Sequence, residues 1–325
     1  YIQARLFRNS MVAGKRRTEV IYYDCTNFYF EIEEAEDDKQ FGVSKENRPL
    51  PIVEMGLFMD RDGIPLAFCI NPGNESEQLS LIPLEKKLME KFDMSRFIVC
   101  TDAGLSSNTN RYFNSYGKAD ATRDFITTQS VKKLKAHLKK WALAPEGWRL
   151  SGSDGRTTYN INELDEAECP DRIYYKSRWI KEKVEAVIDG QSRKVELEQQ
   201  LIVTYSIKYR NYLRSIRNRQ VERARKAVAA GAKAVERKRQ NDPKRFIKVN
   251  HATKDGDVAE QAACHIDEDA IAKEEQYDGF YAVCTSLEDG PEPIIKVNQR
   301  RWEIEECFRI MKSEFQARPV SVSFT

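Results

Sequence analysis

The chain has 325 residues, of which 41% are hydrophobic and 32% charged, so it can bury a sizeable core and hold one large domain with an insertion. Its 53 Lys and Arg residues balance 51 Asp and Glu residues, so net charge alone does not indicate a nucleic-acid partner. The sequence contains no signal peptide and no apolar run of about eighteen residues, so we expect neither secretion nor a membrane span. Seven scattered cysteines without a Cys-x-x-Cys pair, and only three histidines, favour reduced thiols in the cytoplasm over a zinc site.

The first predicted strand, at residues 19–32, contains a carboxylate where an apolar side chain is expected. Asp24 lies in an apolar and aromatic run that is typical of a central strand, and an unpaired charge there would be costly to bury. The turn residues 60–63 then indicate a hairpin between two further strands. The two strands of this hairpin are predicted at about 51–59 and 64–70. A helix is predicted after it, at about 77–92.

A second carboxylate follows a short strand of the buried type. Residues 97–101 are mostly apolar, Asp102 comes next, and the small residues Ala103 and Gly104 allow the backbone to turn. The carboxyl ends of strands are where α/β domains place their chemistry. Taken singly, Asp24 or Asp102 could equally be an ordinary turn or capping residue. A short helix, a strand and another helix are predicted next, near 105–115, 122–128 and 130–143.

From Trp141 to about Lys273 the sequence periodicity changes. A long basic helix ending near residue 240 is predicted there, after short strands near 172–180, 183–189 and 193–206. We interpret residues 141–273 as an inserted domain, a β-rich layer plus that helix. The catalytic core of this α/β protein would then consist of residues 1–140 and 274–325.

The segment from Arg300 to Lys312 predicts an amphipathic helix with a charged edge. At 100° per residue, its apolar stripe consists of Ile304, Cys307, Phe308, Met311 and Phe315. Arg301, Glu305 and Lys312 lie along the edge of that stripe. A carboxylate between a guanidinium and an ammonium stays ionised and can hold a divalent cation beside phosphates. Taken alone, this pattern favours an amphipathic surface helix with incidental salt bridges. Whether the helix belongs to a functional site depends on the other carboxylates.

Asp24, Asp102 and Glu305 together form the Asp, Asp, Glu set that two Mg²⁺ or Mn²⁺ ions need to clamp the oxygens of a phosphoryl transfer. Here the chain resembles a known family, the DDE transposases of the insertion-sequence-four (IS-four) type. Arg301, Glu305 and Lys312 match its Tyr-x2-Arg-x3-Glu-x6-Lys signature, with Asn298 at the tyrosine position. Asp24 in YYDCTNFYF and Asp102 in VCTDAGL match its catalytic aspartates. Two longer segments, at 41–77 and 277–289, also resemble the family.

The resemblance, which leaves out residues from about 140 to 270, implies a ribonuclease-H-like mixed sheet with flanking helices, interrupted by the insertion. It implies a DNA transposase core in which Asp24, Asp102 and Glu305 bind two metal ions, while Arg301 and Lys312 hold DNA phosphates. The reaction would be strand cleavage at transposon ends and strand transfer into target DNA. We expect double-stranded DNA as the partner, a homodimer on DNA, location in a bacterial or archaeal nucleoid, and a chain that is part of a longer protein.

The insertion offers a second set of candidate DNA contacts. Aromatic and cationic side chains alternate near residues 174–179 and 208–219, a pattern that suits stacking on unpaired bases while cations follow the phosphates. The residues predicted to contact DNA there are Trp179, Arg210, Arg214 and Arg217. By its setting alone, Trp179 resembles the family's insertion-domain tryptophan that holds a flipped base. The alternative is that the aromatic residues pack the β layer and the cations are solvated.

Two other functions remain open from the sequence. A ribonuclease-H-like nuclease would hydrolyse DNA without strand transfer. A truncated transposase without catalysis would inhibit through dimerisation or end binding, although the complete carboxylate set argues against a loss of catalysis.

Overall fold

The structure is a computed structural model that describes residues 1–115, 122–167, 170–230, 242–252 and 258–315. It divides into two compact units. Unit 1 consists of Tyr1–Ser130, Ser177–Ile202 and Ala282–Thr325, and unit 2 consists of Val131–Lys176 and Val203–Tyr281.

The elements alternate between strands and helices along most of the chain. The strands are β1 (Val20–Tyr29), β2 (Ile52–Met59), β3 (Pro65–Pro72), β4 (Arg96–Thr101), β5 (Thr122–Gln129), β6 (Arg149–Leu150), β7 (Tyr174–Ile188), β8 (Gln191–Tyr205), β9 (Ile247–Ala252), β10 (Val258–Ile266) and β11 (Phe280–Thr285). The helices are α1 (Ile2–Ala13), α2 (Leu81–Lys91), α3 (Asn108–Ser115), α4 (Ala136–Leu143), α5 (Ile207–Ala229), α6 (Glu268–Glu275), α7 (Pro291–Gln299) and α8 (Trp302–Ser313). Short 3-10 helices cover Glu77–Leu79, Val131–Lys133, Ile161–Glu163 and Pro243–Phe246.

Unit 1 is organised around a large mixed sheet whose strand order is β3-β2-β1-β4-β5-β11-β8-β7. The strands β1, β2 and β3 form an antiparallel meander, whereas β4 runs parallel to both β1 and β5. Strand β11 pairs with β5 in an antiparallel orientation. The sequence therefore folds into the predicted α/β class, with a mixed sheet and helices.

The two faces of β1 have different partners. Ile21, Tyr23 and Cys25 pack into a core formed with α1, α2 and alternate residues of β4. Because successive side chains of a strand point to opposite faces, Tyr22 and Asp24 belong to the other face. There the Tyr22 hydroxyl donates to the Val297 carbonyl of α7 at 3.0 Å, and α8 packs against β1. Asp24 thus points to the side of the sheet that carries α7 and α8.

Unit 2 has its own small core and a cluster of aromatic rings. Helix α5 packs through Val221 and Ala224 on Phe246, beside the antiparallel pair β9 and β10. The rings of Trp148, Tyr205 and Phe280 form an aromatic cluster with centroids 5.0 to 6.0 Å apart. The two-residue strand β6 pairs with the first residues of β7.

The hairpin at 60–63, the strand that contains Asp24 and the strand before Asp102 are confirmed, but other elements differ from prediction. Strand β7 is a single 15-residue strand where two short strands were expected. Helix α8 ends at Ser313, so Phe315, predicted in its apolar stripe, is 75% exposed. The part of the basic helix predicted at 231–240 lies outside the described residues. No helix that the structure describes is both long and apolar enough to cross a membrane.

The compact units do not follow the predicted domain limits of 141 and 273. Unit 2 begins ten residues earlier, at Val131, and extends to Tyr281. Residues 177–202 belong to unit 1, because these parts of β7 and β8 continue its sheet. The division into a catalytic core and an insertion remains a prediction about function.

Candidate active site

Asp24 lies on β1, and Asp102 directly follows the end of the neighbouring parallel strand β4. Strands β1 and β4 pair with a constant offset of 78 positions, as in the pair Tyr22 and Cys100. Asp24 and Asp102 differ by the same 78 positions, so this register, continued two residues past its last pair, brings Asp102 beside Asp24 where β4 ends. Cys100 faces the same side of the sheet as its partner Tyr22, and the charge of Asp102 acts on Asp24.

Local hydrogen bonds orient both carboxylates. Asp24 Oδ1 accepts from the Cys25 backbone N–H at 2.7 Å, and Asp102 Oδ1 accepts from the Leu105 N–H at 2.9 Å. A Cβ atom at Gly104 would lie 3.3 Å from Asp102 Oδ1, so glycine gives this carboxylate its room. The Asp102 carbonyl accepts from Thr127 of β5 at 3.0 Å, which ties the end of β4 to its neighbour.

The Asp102 carboxylate affects the pKa of Asp24. Burial is the main cause that raises the pKa of Asp24, the negative charge of Asp102 raises it further, and the result is about 6. The charges of Lys45 and Arg301 and the Cys25 N–H act in the opposite direction. Two carboxylates that repel each other in a half-buried place gain stability when a cation binds between them.

Helix α8 brings cations to this pair. Arg301 donates to Thr128 Oγ1 of β5 at 3.3 Å and acts electrostatically on both Asp24 and Cys100. Burial lowers the pKa of Lys312, the ammonium of Lys45 lowers it further, and the Asp24 carboxylate opposes them. Both residues predicted to hold phosphates therefore lie within electrostatic reach of Asp24.

Glu305 lies between Arg301 and Lys312 on the same flank of α8, within about 40° of each around the helix axis. Its side chain is 65% exposed, and its Oε1 is 4.0 Å from Arg301 Nη2. Among the described residues, no group of three or more His, Cys, Asp or Glu side chains is arranged to hold a metal ion. The structure thus brings Asp24 and Asp102 together and places Glu305 on the flanking helix, without closing the three carboxylates into one group.

The neighbouring glutamates of α8 face elsewhere, as helical phase predicts. Glu303 pairs with Arg300 at 2.8 Å, and Glu306 pairs with Arg309 at 2.5 Å. The flank of α8 that contains Arg301 and Lys312 therefore presents Glu305 rather than either neighbour.

The sequence alone leaves open whether Lys45 reaches phosphate or faces water, and the structure places it at the site. Its ammonium donates to the Cys25 carbonyl, directly after Asp24, and lies 2.8 Å from Glu77 Oε1. Glu77 in turn interacts with Glu54, whose pKa is raised to about 7 by burial and by the Glu77 charge. No periodic pattern marks Lys45, because it reaches Asp24 from an irregular loop.

The residues of the insertion that were predicted to contact DNA differ in how exposed their side chains are. Trp179 on β7 is 42% exposed and Arg214 is half exposed, so both can reach a partner. Arg210 is largely buried, with Nη2 at 2.5 Å from Glu166. Arg217 is buried in a bidentate pair with Asp278, at 2.7 Å for both bonds, and this placement speaks against the predicted DNA contact.

No family model matches the chain, and no curated protein matches it. Among solved structures, it aligns with a piggyBac transposase synaptic complex with hairpin DNA over 91% of this chain and 41% of that chain, with 8% identity and a TM-score of 0.37. It also aligns with a Mos1 transposase paired-end complex with the left transposon end, over 33% of this chain and 35% of that chain, with 17% identity and a TM-score of 0.20. The chain spans less than half the length of either. TM-scores this low do not support a functional argument, so the function is inferred from the residues alone.

Proposed function

We propose that the chain is the catalytic core of a DNA transposase of the DDE type, with a ribonuclease-H-like sheet, that cleaves transposon ends and transfers them into target DNA. The observation that carries the proposal is the position of Asp102 at the end of β4, near Asp24 of the neighbouring parallel strand β1. The cations of α8 beside this pair supply what a negatively charged DNA backbone needs.

Asp24 and Asp102 suit a hard divalent cation, Mg²⁺ or Mn²⁺, because both are carboxylates and they repel each other when no cation is bound. Glu305 would complete the ligand set from α8. When bound, such a pair of ions would lower the pKa of an attacking water or 3′-hydroxyl and offset charge on the leaving oxygen.

The residues of the chain would divide the remaining work. Arg301, held by Thr128, offers a guanidinium that can form paired hydrogen bonds with a phosphate. Lys312 adds a point charge two helical turns away. Together they would draw the phosphodiester of a DNA end toward Asp24 and Asp102. A homodimer would hold two ends at once, and further contacts would come from Trp179 in unit 1 and Arg214 in unit 2.

The test is a strand-transfer selection that requires no knowledge of the end sequence. Duplexes with randomised terminal sequences and free 3′-hydroxyls are incubated with the protein, Mn²⁺ and a supercoiled plasmid, and the junctions are sequenced. We expect junctions that share one terminal sequence, and none from Asp102→Asn. Asp62→Asn is the matched control, since Asp62 is a partly exposed turn carboxylate that pairs with Arg17.

The same reaction separates the alternatives. A plasmid that is nicked without junctions indicates a nuclease. A protein that binds DNA but neither nicks nor joins it indicates a non-catalytic inhibitor. Either result contradicts the transposase proposal.

A further inference from the structure

The loop between β1 and β2 is anchored so that Lys45 has a fixed position beside Asp24. Asn27 of β1 accepts from the Lys45 backbone N–H at 3.4 Å, and its amide donates to the Val43 carbonyl at 3.3 Å. Ser44 Oγ accepts from the N–H groups of Glu46 and Arg48 and so closes a turn around Lys45. A lysine on such a loop loses less conformational entropy on binding than one on a free surface.

The ammonium of Lys45 is charged, and nearby carboxylates stabilise that charge. Burial acts to lower the pKa of Lys45, but the hydrogen bond and charge of Glu77 and the charge of Asp24 outweigh it, so the pKa is raised. Lys45, Glu54 and Glu77 are among the residues that line a cleft of about 510 Å³, which also includes Phe41 and Gly104, two residues after Asp102. Lys45 therefore joins this cleft to the pair of aspartates.

Lys45 and Lys312 come from different elements and repel each other near Asp24. Helix α8 also brings Arg301 to the same carboxylate. Lys45, Lys312 and Arg301 thus act on one carboxylate from different elements, and cations placed in this way can also bind an anion. The ligand chemistry that fits is a phosphodiester, which brings one negative charge and two acceptor oxygens.

We propose that Lys45 is a phosphate-positioning residue, which with Lys312 clamps one phosphodiester of the bound DNA strand next to Asp24 and Asp102. Glu77 fixes the Lys45 side chain and is not itself a DNA contact. This inference rests on the proposed function, because it assumes that DNA is the substrate.

The experiment measures binding of a 20-base-pair duplex in EDTA as a function of salt, for the parent protein and four variants. Lys45→Gln keeps a hydrogen-bond donor for the Cys25 carbonyl but loses the charge. It should weaken binding about tenfold at 0.1 M salt and reduce the salt slope by about 0.9, whereas Lys45→Arg should restore both. Glu77→Gln should leave the slope unchanged. Lys39→Ala is the matched control, since Lys39 lies in the same loop and pairs with Glu36.

Thermal unfolding of each variant separates lost binding from lost folding. An unchanged salt slope in a folded Lys45→Gln variant, or the same change in Lys39→Ala, overturns the proposal and leaves the proposed function intact. An equal loss of slope in Glu77→Gln overturns the assigned role of Glu77. A parent protein whose DNA binding does not depend on salt contradicts the proposed function as well.

Discussion

Replacing Asp24 by asparagine should stabilise the protein in the absence of divalent ions. Burial and the Asp102 charge raise the pKa of Asp24 from 3.8 to about 6. At about 1.36 kcal/mol per pH unit, the ionised form destabilises the folded state by at most roughly 3 kcal/mol above pH 6. An asparagine amide needs hydrogen-bond partners that the carboxylate did not need. We therefore expect Asp24→Asn to raise the free energy of unfolding by about 1–3 kcal/mol at pH 8.

The size of this gain depends on pH. An acid with a raised pKa keeps its proton in the folded state while the unfolded chain has lost it, so the parent loses stability between pH 3.8 and about 6. The gain of Asp24→Asn should thus be absent at pH 3.5, grow to pH 6 and then stay constant. Urea unfolding in EDTA at several pH values measures it, with Asp62→Asn as the control. A variant less stable than the parent at pH 8, or a gain independent of pH, would refute the reasoning.

Three further predictions concern charge at other positions. Lys312→Ala should weaken DNA binding and lower its salt slope by about one contact, and an unchanged slope would make Lys312 a structural partner of Asp24. Arg217→Ala should lower the free energy of unfolding by about 3 kcal/mol, because it removes both short bonds to buried Asp278 and leaves it only Arg214 at 3.6 Å, yet it should not change the salt slope. Burial raises the pKa of Glu85 to about 8, so parent stability should fall between pH 4.5 and 8. Urea unfolding at pH 5, 7 and 9 should show that Glu85→Gln removes that decline, and an equal decline in the variant would contradict this.

The sequence was informative where its pattern is local. An apolar run predicts the β1 strand around Asp24, and small residues after a short strand predict the turn at Asp102. Helical periodicity places Arg301, Glu305 and Lys312 on one flank of α8. These features follow from neighbours within about ten residues, where side-chain period and turn chemistry are readable.

The remaining features depend on contacts between distant parts of the chain. The parallel register that sets Asp24 beside Asp102 joins strands 78 positions apart. Arg217 looks like a surface cation until Asp278, 61 positions later, pairs with it. Lys45 reaches the site from an irregular loop that has no period. In each case the tertiary fold determines which residues come into contact. The chemistry of single residues does not specify that fold.

The most direct test of the central claim is anomalous diffraction from crystals of the protein grown with Mn²⁺. The claim predicts a manganese peak bounded by the carboxylates of Asp24 and Asp102, with the Glu305 side chain turned toward it, and no such peak in Asp102→Asn. Crystals that show manganese only elsewhere, or Asp24 and Asp102 carboxylates too far apart to share one ion, would contradict the proposed metal-dependent active site.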